Sequence, residues 1–265
     1  MNNKVEIRRR EISRLIKKEG EVTVTDMARH FGVTMETIRS DFDYLAEQEG
    51  FVRGHGNLSR EEKKTFNDHY LFHERQLLQR EEKQDICKRA ANLIMDGDCI
   101  YLDSGSTVTY LLPELIEKKE LTIVTNSIAC LLGFIMGKYQ EAYKEQGHRF
   151  LFLGGEVEPN IRMTYGIFFE QSVTEISYDK LFFSVDALDM EFGCSNVDYQ
   201  AYSTIKPLFR QAKERILLAD SSKFNRKAAY RVAGWKEIDA FITGRELTEN
   251  WRLFFDNRHI TYYLT

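Results

Sequence analysis

Beyond residue 98 the chain repeats one short pattern: apolar runs at Cys99–Leu102, Leu121–Val124, Arg149–Leu153, Lys180–Phe183, Arg215–Leu218 and Ala240–Thr243, most of them separated by helix-like segments. Each run is too short for a helix and too uniformly apolar for a strand with one wet face. Each therefore reads as a strand buried on both faces. Such strands alternating with helices specify an open α/β sheet. The stretch Lys83–Met95 fits a helix of that kind, with Ile86, Ala90 and Leu93 on one face and Gly97 ending it. With 43% apolar residues and only three prolines, the chain can bury such a core.

The first residues follow another pattern. Between Lys4 and Lys18 there are seven basic residues against two acids, and Ile12, Leu15 and Ile16 share one helical face. Gly20 ends this helix, and Val22 and Val24 alternate in a short extended piece. Thr25 stands where an N-cap opens a second helix through Phe31, Gly32 turns the chain, and Thr34 caps a third helix. In the third helix Ile38, Phe42 and Leu45 point inward, leaving Met35, Glu36, Arg39, Ser40 and Asp43 outside. The run Phe51 to Gly56 reads as a short strand and a glycine-bent wing. A polar, charged stretch follows, so the expected division is 1–57 for a small helical domain, 58–76 for a linker and 77–265 for the α/β domain.

Composition narrows the function. Lys plus Arg number 37 against 41 Asp plus Glu, which excludes wholesale attraction to a polyanion and confines any nucleic-acid contact to a local patch. Cys87, Cys99, Cys130 and Cys194 are widely spaced and form no C-x-x-C pair, as expected of reduced core thiols rather than a metal site. No run approaches the length of a membrane span, so a soluble, cytoplasmic protein without membrane contact is expected, and no cofactor is called for.

Three short helices, a tight turn before the third and a wing form the layout of a winged helix-turn-helix, whose third helix enters the major groove of double-stranded DNA. The alternative is a helical protein-interaction module. In the DNA reading Thr34, Met35, Glu36, Thr37, Arg39 and Ser40 face base edges and phosphate, and Asp41 and Asp43 turn to protein or solvent. Arg53 and His55 in the wing and the basic first helix supply positive charge. Arg8, Arg9 and Arg10 count only as electrostatic support.

In the second domain the strand ends carry the small polar residues. Asp103 closes one run, and Ser104, Gly105, Ser106 and Thr107 lead into a helix whose N-terminal N–H groups suit an anion such as phosphate. Thr125, Asn126 and Ser127 end the next run. Gly154 and Gly155 end a third and allow close backbone approach, and Lys223 follows a fourth as a point charge.

The stretches "VTVTDMARHFGVTMETIRSDF" and "FVRGHGN" resemble the N-terminal signature of DeoR-family transcriptional regulators. The later Asp-x-Gly-x-Thr, Thr-Asn-Ser, Leu-Gly-Gly and Asp-Ser-Ser-Lys-Phe segments resemble that family's effector domain, a fold similar to ribose-5-phosphate isomerase. Ser40 replaces the second arginine of the family's Arg-Arg-Asp, and Asn57 its second wing glycine. Ser184-Val185-Asp186-Ala187 replaces a Gly-Ala-Asp-Gly-like run, and Tyr202 to Lys206 a Glu-Ala-x-x-Lys segment, with Asp186 and Lys206 retained. The resemblance implies a repressor of a carbohydrate-metabolism operon that binds operator DNA as a homodimer or homotetramer and responds to a phosphorylated sugar or related metabolite. Two other readings stand beside it: a sugar-phosphate isomerase-like enzyme with an attached helical module, and an oligomerisation domain with a defunct pocket. The isomerase acid cluster is missing, and no lysine precedes Gly154, which weighs against catalysis.

Overall fold

The computed structural model describes residues 3–49, 51–53, 56–59, 72–137 and 139–265, in two compact units, residues 1–68 and 69–265. The smaller unit contains helix α1 (Asn3–Glu19), strand β1 (Glu21–Thr23), helices α2 (Val24–Phe31) and α3 (Met35–Glu49), and strands β2 (Val52–Arg53) and β3 (Asn57–Ser59). The strands form an antiparallel sheet in the order β1-β3-β2. Ile12 and Ile16 of α1, Met27 of α2, and Ile38, Phe42 and Leu45 of α3 meet in one core, closed from the wing side by Phe51 and Leu58.

Thr23, not Thr25, caps α2. Its backbone is extended and its hydroxyl accepts from Asp26 N at 3.1 Å, so the helix starts at Val24, which is buried. Gly32 closes α2 in the left-handed conformation with φ of 61°. The wing also outruns its expected end, because β3 continues to Ser59 inside the expected linker.

The larger unit opens with helices α4 (Phe72–Leu77) and α5 (Arg80–Ala91), so the expected linker holds a helix at its far end as well. Next come strand β4 (Cys99–Leu102), a 3-10 helix (Val108–Leu115), strand β5 (Thr122–Thr125), helices α6 (Ile128–Met136) and α7 (Gln140–Glu145), and strands β6 (Arg149–Phe152), β7 (Glu156–Glu158) and β8 (Met163–Tyr165). Helix α8 (Ile167–Thr174), strands β9 (Tyr178–Phe183), β10 (Ala187–Asp189) and β11 (Gly193–Asn196), helix α9 (Tyr199–Gln211) and strand β12 (Ala212–Leu218) follow. Strands β13 (Tyr230–Ala233) and β14 (Ala240–Thr243), helix α10 (Glu249–Asn257) and strand β15 (Tyr262–Leu264) complete it.

Seven strands form one parallel sheet in the order β15-β14-β12-β9-β4-β5-β6. All six apolar runs lie in it. Their residues alternate between two cores: Leu181, Phe183 and Leu217 on one face, Phe182, Ile216 and Leu218 on the other. Both faces are covered, which is why the runs carry no wet side. The chain builds outward from β4 through β5 to β6, then returns to the other side of β4 with β9, β12, β14 and β15. The order therefore reverses between β4 and β9, and open α/β sheets bind ligands outside the strand ends at such a point.

Candidate functional site

In the smaller unit the exposed side of α3 carries Met35, Glu36, Arg39, Ser40 and Asp43, next to the cap, where Thr34 Oγ1 accepts from Thr37 N at 3.3 Å. Arg39 donates to Glu36 at 3.1 Å, both well exposed, a weak pair that a phosphate or a base edge can displace. The acids of this helix have separate partners. Asp41, 1% exposed, accepts from Arg8 Nε and Arg9 Nε of α1, and Arg9 also lies 3.8 Å above the Tyr44 ring. Two of the three arginines in the basic run are thus spent inside the unit, which corrects their assignment as a general electrostatic support. Arg10 is exposed.

Arg53 is likewise a strut. Its Nε donates to Asp43 at 2.9 Å and its NH1 to Asn57 O at 2.9 Å, tying the wing to α3. His55 lies outside the described residues.

In the larger unit the switch point is built from the ends of β4, β9 and β12. Asp103 is buried at the end of β4, and its Oδ2 accepts from Ser184 N at 3.4 Å. Burial pushes the Asp103 carboxyl up to about 6, against the opposing pull of the neighbouring backbone N–H groups. Gly105 is required by packing: a Cβ there would lie 2.7 Å from Ser184 Cβ.

The remaining polar groups of this loop face helix α5. Lys83, only 2% exposed, places Nζ 3.5 Å from Ser106 Oγ and 3.7 Å from Asp220 Oδ2, and donates to Arg75 O. Burial lowers its pKa to about 8; Asp220 opposes that shift, while Lys223 and Arg75 add to it. Among the described residues Thr107 Oγ1 and Asp220 Oδ2, both buried, have no hydrogen-bond partner. Nearby, Asp186 accepts from Val197 N at 3.0 Å and from Arg75 NH1 at 3.4 Å. The arrangement is a cationic cradle with an unsatisfied hydroxyl beside it, suited to a small anion.

Neither Lys83, Arg75 nor Asp220 was singled out from sequence. Lys83 did carry a signal, since it stands on the same stripe as Ile86, Cys87 and Ala90, an apolar face on which a lysine is costly. Asp220 caps the 3-10 turn Ser221–Lys223, accepting from Ser222 N at 3.0 Å.

Several expected ligand residues are instead engaged within the fold. Thr125 Oγ1 donates to Leu102 O at 2.6 Å, Asn126 joins Tyr101 Oη to Thr164 O, and Ser127 caps α6. Gly155 makes room for Tyr165 O, which would lie 2.3 Å from a Cβ, and Gly154 is exposed. Lys206 donates to Val232 O at 2.6 Å, with its Nζ 5.9 Å from the Tyr202 and Phe209 ring centres. Among the described residues no cluster of metal-ligating side chains occurs, and no helix is long and apolar enough to cross a membrane.

Two family models match the chain, one in each unit. Residues 8–64 match the DeoR-like helix-turn-helix domain and residues 78–245 the DeoR C terminal sensor domain. A putative aga operon transcriptional repressor of Escherichia coli O157:H7 is 30% identical, covering 89% of this chain and 84% of that protein. The glycerol-3-phosphate regulon repressor of Escherichia coli K12 is 28% identical over 88% of each chain, and the HTH-type transcriptional regulator IolR of Bacillus subtilis 24% identical over 97% of this chain and 98% of its own. A ribose 5-phosphate isomerase A from Methanocaldococcus jannaschii aligns over 56% of each chain, with 18% identity and a TM-score of 0.38. The chain belongs to the DeoR family, whose members are DNA-binding transcriptional regulators and not enzymes.

Proposed function

We propose that this protein represses a carbohydrate-metabolism operon and that a phosphorylated sugar or related metabolite, bound at the switch point of the larger unit, changes its hold on operator DNA. The observation carrying this reading is Lys83: a lysine 2% exposed, reaching Ser106 beside the unsatisfied hydroxyl of Thr107. Among the described residues Lys83 is paired only at 3.7 Å, with Asp220, and a phosphate held by Lys83, Ser106 and Thr107 gives its buried ammonium a direct charge-assisted contact. A relative that governs a glycerol-3-phosphate regulon fits the same ligand chemistry. Operator contact is assigned to Thr34, Met35, Glu36, Thr37, Arg39 and Ser40, with self-association into a homodimer or homotetramer bringing two recognition helices to two half-sites.

The test begins with a duplex selected by the protein from random sequences. Its affinity is then titrated with a panel of sugar phosphates and their unphosphorylated sugars. A shift produced only by phosphorylated compounds, and lost in Lys83→Met, is the expected result. An equal shift by an unphosphorylated sugar, or an unaltered response in Lys83→Met, would place the ligand elsewhere. On the same duplex Arg39→Ala should cost about 1–3 kcal/mol, with a smaller loss on random DNA.

A further inference from the structure

Helix α4 lies against the cradle, held there by Lys83 and by two residues of the 3-10 helix that follows the cradle loop. Lys83 Nζ donates to Arg75 O, Gln76 Nε2 donates to Thr109 Oγ1 at 3.2 Å, and Tyr110 Oη donates to Gln76 O at 2.9 Å. Phe72 is buried, with the Arg75 and Arg162 guanidinium groups 5.8 and 5.3 Å from its ring centre. The attachment of Arg75 is the weakest part. Among the described residues its one ion pair is a 3.4 Å contact with Asp186, about a quarter of each side chain is exposed, and its buried Nε has no hydrogen-bond partner. Such a pair contributes little, whereas a phosphate offers guanidinium two parallel charge-assisted hydrogen bonds.

We propose that Arg75 is an anion-binding residue carried into the cradle by α4: when a phosphate group occupies Lys83, Ser106 and Thr107, Arg75 leaves Asp186 for the phosphate and fastens α4 over it. This rests on the cradle being the ligand site. Arg75 lies close enough to Lys83 for the two charges to repel, so both gain from an anion placed between them. The transfer also frees Asp186 to accept from a hydroxyl of the ligand. Helix α4 is the first described element of the larger unit, so the change is delivered at the point where the chain enters that unit from the wing. A ligand shifts an equilibrium only by its differential affinity for two states, and the exchange of Arg75 between Asp186 and phosphate supplies such a difference.

The experiment uses the full chain with inorganic phosphate as probe and ribose 5-phosphate as a second arm, reading affinity by calorimetry and α4 by amide hydrogen exchange. Saturating phosphate is expected to slow exchange of the α4 amides at least tenfold. Arg75→Gln should bind phosphate at least tenfold more weakly and lose that protection. Asp186→Asn should bind inorganic phosphate more tightly, because the competing carboxylate is gone, an effect a purely structural ion pair would not produce. Phosphate binding with unchanged α4 exchange, equal affinity in Arg75→Gln, or unchanged or weaker affinity in Asp186→Asn would overturn the proposal and leave the cradle standing. Absence of binding of either probe to the wild-type chain would overturn the cradle itself and this proposal with it.

Discussion

Lys83 and Asp103 sit close to the same loop and are displaced from their ordinary pKa values in opposite directions, which puts their effects in different pH windows. Burial lowers the Lys83 pKa to about 8, and an anion binds its ammonium form. Affinity for a phosphate ester, already dianionic at neutral pH, should hold steady to about pH 7.5 and then fall by up to about tenfold per pH unit above 8. Calorimetry from pH 7 to 9.5 checks this; the same slope in Lys83→Met would assign the titration to another group. Asp103 is an acid whose folded pKa, about 6, lies above its unfolded value, so the native state holds the extra proton between those limits. Stability is then greatest below the unfolded pKa and falls as pH rises from about 4 through 6, by about 3 kcal/mol in all. Urea unfolding across that range should show this decline superimposed on the other titrations, and a smaller decline in Asp103→Asn. An identical pH profile in the variant would show that Asp103 keeps an ordinary pKa.

At the level of elements, charge that looks superfluous in the sequence turns out to join helices. Asp41 holds Arg8 and Arg9, so Asp41→Ala leaves two guanidinium groups at the α1–α3 contact without their carboxylate. Breaking a buried pair from one side costs about 3–5 kcal/mol, and the lower end applies because Arg8 and Arg9 can reach water. Thermal unfolding of the full chain should show the loss in the smaller unit, with secondary-structure signal from the sheet domain unchanged at the same temperature; a loss under about 1 kcal/mol would make the pair dispensable. The same elements show what was legible. Six of the seven sheet strands and α3 follow from apolar runs and helical periodicity, since burial on two faces, or on one helical stripe, leaves its mark on composition. Strands β7, β8, β10, β11, β13 and β15 do not follow from those runs. They are three or four residues long, and Glu156-Val-Glu158 or Gly193-Cys-Ser-Asn196 carry no apolar alternation to read. In the candidate site, Asp103 to Thr107 stand out in the sequence because a strand end is followed at once by small polar residues. Arg75 and Lys83 do not stand out in that way, since their proposed roles depend on α4 and α5 folding back onto a loop more than twenty residues later. Thr125 and Asn126 show the converse: a polar residue at a strand end can hydrogen-bond to its neighbours in the fold.

For the whole molecule, the proposed regulation joins two sites in separate compact units, and that makes a demand independent of any structural route between them. If effector changes operator affinity by some factor, operator must change effector affinity by the same factor. The effector's affinity is measured by calorimetry on the free protein and on the protein saturated with the selected duplex; operator affinity is measured by fluorescence anisotropy with and without saturating effector. Both are taken at one salt concentration, because phosphate contacts make operator binding steeply salt-dependent. The two ratios should agree, and a typical coupling of about 1–3 kcal/mol corresponds to a factor of roughly 5–150. Effector should also stabilise the larger unit by about 2.7 kcal/mol at a concentration one hundred times its Kd. Arg75→Gln should then reduce both ratios together, since one lost contact weakens a coupling read from either end. Two unequal ratios at fixed assembly state would mean that the calorimetric site is not the one that governs DNA binding, and the cradle at Ser106, Thr107 and Lys83 would lose its regulatory role.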